Sequence, residues 1–442
     1  MRIIGNDPSV PRQTQEVASG TLPNGKPVIV NADGTVSVVE TISDSASTGV
    51  AFNSGGADFS NITFDSNSNK VVVAYADAGN SGHGTAIVGT VSGTSITFGS
   101  EVVFKAATVS YTDLTFDSNS NKVVIAYRDN TNSGLGTAIV GTVSGDSISF
   151  GTAVTFDSSQ AYYETITFDS NSNKVVIAYN LASSTESKAV VGTVSGTSIS
   201  FGTPVQFCSN DTDELGLVFD TSNNKIVIAY RDDGDSNKGK AKVGTVSGTS
   251  ISFGSEAEFN SGNTRKIGAT FDSNSNKVVI AYRDGGNSSY GTAIVGTVSG
   301  TSISFGSEVV FDSSYVNDNQ CVFNSSANKV IVSYYDTVSP AGGKIIVGTV
   351  SGTSISFGTA VTFESNSISY PHSVYDSSAD RVVVVYSQSG GNGEYTVFIT
   401  GSANLTSENY IGMSSGPASP AVSGTKVTFE SGTMGSEHIG VV

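Results

Sequence analysis

The chain has 442 residues, with 39 acidic against 22 basic side chains and a formal charge of −17. That balance weighs against nucleic acid or an anionic membrane surface as partner, because phosphate binding takes clustered Lys and Arg; the acidity reads most simply as solubility. Fifty Gly against seven Leu, with no long stretch of 3.6-residue periodicity, exclude substantial helix and point to short strands and tight turns.

Near the start, Pro8 and Pro11 oppose regular structure, and Leu22-Pro23-Asn24-Gly25-Lys26-Pro27 reads as a turn. Val28 to Val30 and Thr35 to Val39, joined by Asn31-Ala32-Asp33-Gly34, read as a hairpin. Met1 to Pro8 lacks the apolar stretch of a secretory signal, and no segment reaches membrane-spanning length. Residues 1–40 are expected to form an attachment arm, with a disordered leader as the equal alternative.

From residue 41 the chain is organised by repetition. The stretch Phe116-Asp117-Ser118-Asn119-Ser120-Asn121-Lys122-Val123-Val124-Ile125-Ala126-Tyr127 recurs every 51 or 52 residues, starting at Phe64, Phe116, Phe168, Phe219, Phe271, Phe323 and, in a worn copy, Tyr375. Within a unit, Ile166 to Phe168, Lys174 to Tyr179, Ala189 to Val194 and the run opening Ser198-Ile199-Ser200-Phe201 read as four strands. Val175 to Tyr179 is apolar on consecutive positions, as in a strand covered on both faces, whereas Ser198 to Phe201 alternates and should be half exposed. Four antiparallel strands in about 50 residues, repeated around a ring, define a β-propeller blade. A solenoid would instead need capping repeats.

The outer-strand block ends at Phe52, Phe104, Phe156, Phe207, Phe259, Phe311 and Phe363, so one copy precedes the first unit and none directly follows the seventh. This predicts an all-β fold, a seven-bladed β-propeller over residues 41–401 closed by the N-terminal strand from Thr41 to Phe52. The segment Val422 to Phe429 echoes the same block and is the rival closing strand. Residues 402–442 hold a Gly-Pro-rich connector, Ser414 to Pro420, and a strand-like Thr425 to Phe429. This C-terminal extension is too short for its own core. It must pack on the propeller, pair with the N-terminal hairpin or be ordered by a partner.

In an up-and-down blade, alternate connections emerge on opposite faces. The two connections that vary little between units, Asp-Ser-Asn-Ser-Asn and Val-Ser-Gly-Thr-Ser, therefore share one face, and the two that vary greatly share the other. A rigid scaffold with one diversified loop face is how binding surfaces are built, with relaxed loop drift as the plain alternative. The variable face carries Phe59, Tyr111, Tyr162, Tyr163, Tyr290, Tyr315, Tyr335 and Tyr370 among Ser, Asn, Asp and Gly, a mixture suited to a glycan or a protein epitope. Arg128, Arg231 and Arg283 each follow the Tyr that ends a second strand and stand beside Asp129, Asp232 and Asp284. Holding acidic sugars is one role for them; a local ion pair repeated with the blade is the simpler one.

Asp65-x-Asn67-x-Asn69 opens like a calcium loop but lacks its Gly and closing Glu, so an Asx-stabilised hairpin turn explains it better. His83 and His372 fall on variable connections of blades that closure makes neighbours, without a visible third ligand. Cys208 and Cys321 occupy different repeat positions, so no mutual disulfide is expected. No nucleophile elbow, phosphate loop or His-Glu-x-x-His is present, and no cofactor is expected. A glycosidase pair among the many carboxylates remains open, with nothing selecting one pair.

The units Phe-Asp-Ser-Asn-Ser-Asn-Lys-Val-Val-Ile-Ala-Tyr and Gly-Thr-Ala-Ile-Val-Gly-Thr-Val-Ser-Gly-Thr-Ser-Ile-Ser-Phe-Gly, over residues 41–401, resemble the repeats of virion appendage proteins of marine bacteriophages. The segment Gly20 to Val28 is similar to arms in such proteins. The resemblance implies a non-enzymatic virion structural protein on the particle surface, as tail fibre or capsid decoration. Its loop face would bind a host glycan or protein receptor and its termini other virion subunits, with assembly into a homo-oligomer open.

Overall fold

The computed structural model describes residues 12–19, 27–30, 35–38, 41–181, 186–338, 340–389, 391–403, 410–415 and 426–431. By contacts it divides into one unit of residues 45–400 and another of residues 1–44 with 401–442. The turn expected from Leu22 to Pro27 and the connector expected from Ser414 to Pro420 lie, apart from their end residues, outside the described residues.

Residues 45–400 form a seven-bladed β-propeller. Among the described residues its regular structure is all strand, save a single 3₁₀ turn at Ala78–Asn80. In the first blade Ala57–Asp65 pairs antiparallel with Lys70–Asp77, which pairs with His83–Ser92, which pairs with an outer strand in two pieces, Ser95–Phe98 and the start of Val102–Asp117. The same ladder recurs in every unit, and the innermost strands neighbour one another in cyclic order, the seventh against the first. Closure is by the N-terminal strand: Val50–Asn53 and Ser45–Ala46 pair with Gly393–Ile399 of the seventh blade. Residues 426–431, the rival for that place, pair elsewhere.

The second strands are buried on both faces, with Val175, Val176, Ile177, Ala178 and Tyr179 all at 0 % exposure. Ser198–Phe201 alternates as expected, Ile199 buried between exposed Ser198 and Ser200. Between blades the core is contributed by facing sheets, for example Val72 and Ala74 against Val123 and Ile125. The seam from the last blade to the first is built alike, with Val383 and Val385 against Val71 and Val73.

The repeated Phe of each outer strand packs on the repeated Tyr of the second strand of the following blade. All seven pairs are present, with ring centroids 5.4 Å apart for Phe52 and Tyr75 and 5.0–5.4 Å apart in the other six. Six of the seven Phe sit over a third-strand Gly, where a Cβ at Gly136 would lie 2.3 Å from the Phe156 ring; at the Phe207 position Ser187 stands instead. Six of the seven Tyr hydroxyls donate to a carboxylate, as Tyr75 does to Glu101 at 2.7 Å and Tyr282 to Glu308 at 2.7 Å. Tyr127 is the exception, its buried hydroxyl having no partner.

The first turn of every blade is capped as an Asx turn. Asp117 Oδ1 accepts from the backbone N–H groups of Asn119 at 2.9 Å and Ser120 at 3.0 Å, and Asn324 Oδ1 does the same for Ser326 and Ala327, both at 3.0 Å. An amide oxygen serves as well as a carboxylate here, which is why Asn324 can stand where the other units have Asp.

In the other unit, Pro27–Val30 and Val36–Val38 form the expected hairpin. They extend into a five-stranded sheet with Tyr410–Ser415, Lys426–Ser431 and Arg12–Val17 in that order. The C-terminal segment thus pairs with the N-terminal hairpin, one of the three arrangements foreseen. Arg12–Val17 is a strand directly after Pro11, although Pro8 and Pro11 oppose regular structure at the start of the chain.

Candidate functional site

The two variable connections of adjacent units meet on one face of the ring: the amide of Ala78 donates to Gly56 O at 3.0 Å, that of Asn130 to Thr108 O at 3.2 Å and that of Ser389 to Ser367 O at 2.8 Å. The constant connections meet elsewhere, where Lys70 pairs with Asp146 at 2.8 Å and Arg381 Nε donates to Gly93 O at 3.0 Å.

Each innermost strand enters from the variable face and carries a bulge soon after it starts, as between Asp58 and Asn61 and between Tyr162 and Thr165. The bulge residue is left-handed in all seven blades: Phe59, Tyr111, Tyr163, Glu214, Lys266, Asp318 and Tyr370 have φ between 51° and 57°. For a bulky L-residue that conformation is an outlier costing of order 1–2 kcal/mol, and its sevenfold recurrence shows the ring imposing it. Bulges re-aim side chains. Here all seven residues line a single axial cavity of about 420 Å³.

The ring divides chemically. Blades seven, one, two and three supply a continuous aromatic arc, with centroids 5.1 Å apart for Tyr370 and Phe59, 5.2 Å for Phe59 and Tyr111, and 5.0 Å for Tyr111 and Tyr163. Blades four, five and six supply charge: the Lys266 ammonium lies 2.6 Å from Asp318 and 4.0 Å from Glu214.

Below this ring stand further ionisable groups. Asp113 accepts from Asn61 Nδ2 at 2.6 Å, the Leu114 amide at 2.8 Å, Thr165 Oγ1 at 2.9 Å and the Ile166 amide at 3.0 Å. Burial outweighs these bonds and pushes its carboxyl up to about 6. Glu164 is 5 % exposed, and neither of its carboxylate oxygens has a hydrogen-bond partner. Burial pushes it up to about 8, against the opposing pull of its own backbone N–H and, more weakly, of Arg128. His372 is driven down to about 4 by burial, Asp318 opposing.

The sequence-predicted residues divide accordingly. Phe59, Tyr111, Tyr163 and Tyr370 converge on the axis, though on strands rather than in loops, because pairing starts earlier than the hydrophobic pattern suggests. The arginines do not make the repeated ion pair expected with Asp129, Asp232 and Asp284. Arg128 stacks on Tyr162 at 4.1 Å and donates to its hydroxyl at 3.0 Å. Arg231 forks onto Asp233 at 2.5 and 2.8 Å and reaches Asp213 at 3.1 Å. Arg283 lies 5.0 Å from the Tyr315 ring and donates to its hydroxyl at 2.9 Å. The neighbouring aspartates instead serve loops and lysines, as Asp129 does with Lys105 at 2.5 Å and the Thr131 amide at 3.1 Å. Tyr290 pairs with Tyr315 across strands, away from the axial lining, and the Tyr335 hydroxyl meets Ser367 Oγ at 2.7 Å. His83 opens a third strand and His372 lies within an innermost one, so neither sits in a loop.

Sequence reading missed Asp113, Glu164, Glu214, Lys266 and Asp318. Aligning the units on the innermost strand places four acids and a lysine in adjacent columns, which was the available signal. Cys208, Asp232 and Glu256 offer ligand atoms close together, but Lys240 Nζ already lies 2.8 Å from both Asp232 and Glu256. A cation is therefore built into that cluster.

The fold and its axial cavity define a β-propeller with a concave site on the variable face. No family model and no curated protein matches the sequence. Similar solved structures are the Dos1 propeller, at 12% identity over 85% of this chain and 81% of that one with a TM-score of 0.49, and NanB with optactamide, at 12% identity, 80% and 70% coverage and 0.48. AofleA from Arthrobotrys oligospora aligns at 13% identity over 78% of this chain and 97% of its own, with a TM-score of 0.45.

Proposed function

We propose that the chain is a bacteriophage virion structural protein whose propeller binds a host surface glycan on its variable face, without catalysing a reaction, while its terminal segments hold other virion subunits. The observation that carries the binding role is the axial cavity, where all seven blades aim a residue at one point on a repeated backbone, aromatic in four blades and charged in three. Flat aromatic faces beside fixed hydrogen-bonding groups suit a sugar ring. The virion setting rests on the likeness of the repeats to phage appendage proteins.

Binding of purified protein to cells of candidate marine bacterial hosts tests this reading. Tyr111→Ala or Tyr163→Ala should weaken binding by about 2 kcal/mol, as for an aromatic anchor at an interface centre. Ser118→Ala with Ser120→Ala, on the constant face, should leave it unchanged. Loss of binding in the serine variants with retention in the tyrosine variants would place recognition on the other face.

A further inference from the structure

The two halves of the axial ring differ in how their carboxylates are neutralised. On one side the Lys266 ammonium serves Asp318 and Glu214. On the other, Asp113 is occupied by four donors, two side chains and two amides. Glu164 alone among these cavity acids is both buried and without a bonded partner on either oxygen. Arg128, its cationic neighbour, is turned to the Tyr162 ring and hydroxyl. A buried carboxyl with no bonded cation keeps its proton until one is supplied, and Glu164 belongs to the cavity wall, with its oxygens just beneath the surface.

The aromatic arc lies on the same side. Tyr163 immediately precedes Glu164, and Tyr111, Phe59 and Tyr370 continue the arc from blade to blade. Ring faces attract a cation, most strongly where water is excluded, and an ammonium gains a charge-assisted bond from a carboxylate. The cavity, about 420 Å³, falls in the roughly 300–1,000 Å³ range of small-ligand sites. Its lining holds Asp113, Glu164, Glu214 and Asp318 against the single Lys266 and is thus short of positive charge.

Resting on the reading of the variable face as glycan-binding, we propose that the axial cavity takes an amino sugar, its ring against the aromatic arc and its ammonium directed at Glu164. The ligand would supply on this side of the ring what Lys266 supplies on the other. The N-acetylated sugar keeps the ring but loses the charge and adds bulk, so it should be discriminated against.

Titration calorimetry of the full chain with a glucosamine tetramer and with an N-acetylglucosamine tetramer tests the proposal. The parent protein should prefer the glucosamine tetramer by about tenfold, the worth of one cation–π or charge-assisted contact. Glu164→Gln removes the charge at nearly constant shape and should abolish the preference. Tyr163→Asn removes the ring while keeping a residue that tolerates left-handed backbone, and should reduce it. Equal affinity for the two tetramers, or a preference that survives in folded Glu164→Gln protein, would overturn the proposal. Cell binding by the same preparations separates the two readings. Cells bound normally by a protein indifferent to the tetramers would refute the ammonium site and leave receptor binding standing. Absence of cell binding would refute the receptor reading, with the calorimetry still deciding the site.

Discussion

Glu164 couples the axial site to pH. Its carboxyl, raised from the ordinary 4.5 to about 8 by burial, keeps its proton in the folded protein across a range where the unfolded chain has lost it. The folded state then binds more protons, so the contribution of this residue to stability falls as pH rises from about 4.5 and levels off above about 8. Glu164→Gln, which cannot ionise, should flatten that dependence and be more stable than the parent at pH 9 by at least about 1 kcal/mol. Denaturation curves at pH 5 and pH 9 check this; parallel pH dependence in the two proteins would refute it. The interblade tyrosines give a second test. Tyr127→Phe removes an unpartnered buried hydroxyl and should be neutral or stabilising, whereas Tyr282→Phe deprives Glu308 of a donor and should cost about 1 kcal/mol.

At the scale of elements, the interblade contact of Phe on Tyr accounts for the two positions that keep the firmest step in the sequence. Their spacing was legible because both lie in strands whose turns are fixed by Asx caps and Gly, so equal chain lengths give equal geometry. Closure was legible for the same reason, since Phe52 stands one repeat ahead of Phe104. The bulge was not legible. Left-handed backbone announces itself through Gly or Asn, and here the ring forces it onto Tyr, Phe, Glu, Lys and Asp. The partners of Arg128 and Arg283 were hidden too, because Tyr162 and Tyr315 are reached across a blade boundary rather than along the chain. Phe52→Ala should cost about 2–3 kcal/mol, toward the low end for a buried Phe because Phe52 is only half-buried. Its loss opens the seam between the last blade and the first, where it packs on Tyr75 and Phe98. Thermal melts of that variant against Phe207→Ala, at a fully buried equivalent position, measure the difference.

For the whole molecule, the division at residues 45 and 400 predicts where truncation is tolerated. A chain lacking residues 1–44 retains the closing strand and should melt cooperatively near the propeller transition of the parent. Removing residues 1–55 takes that strand away, leaves Gly393–Ile399 as an unpaired edge, and should lower the melting temperature sharply and promote aggregation. Similar melting of the two truncations would mean that the ring does not depend on its N-terminal strand. Limited proteolysis of the free protein should likewise trim residues 1–44 and 401–442 before it cuts the propeller; resistance of both ends would count against the proposal that they await partners.

The pairing of Ser45 with Ile399 and of Asn53 with Gly393 joins the earliest and latest parts of the propeller to be synthesised. On a ribosome moving at about 5–20 residues per second, the closing strand waits roughly 20–70 s for its partner to be made. During that interval six complete blades can form while both faces of the open seam, including the Val71 and Val73 side of the first sheet, stand uncovered. The nascent ring is most exposed to misassembly just before its final blade emerges. A neighbouring nascent chain displaying the same 52-residue motif is its natural wrong partner.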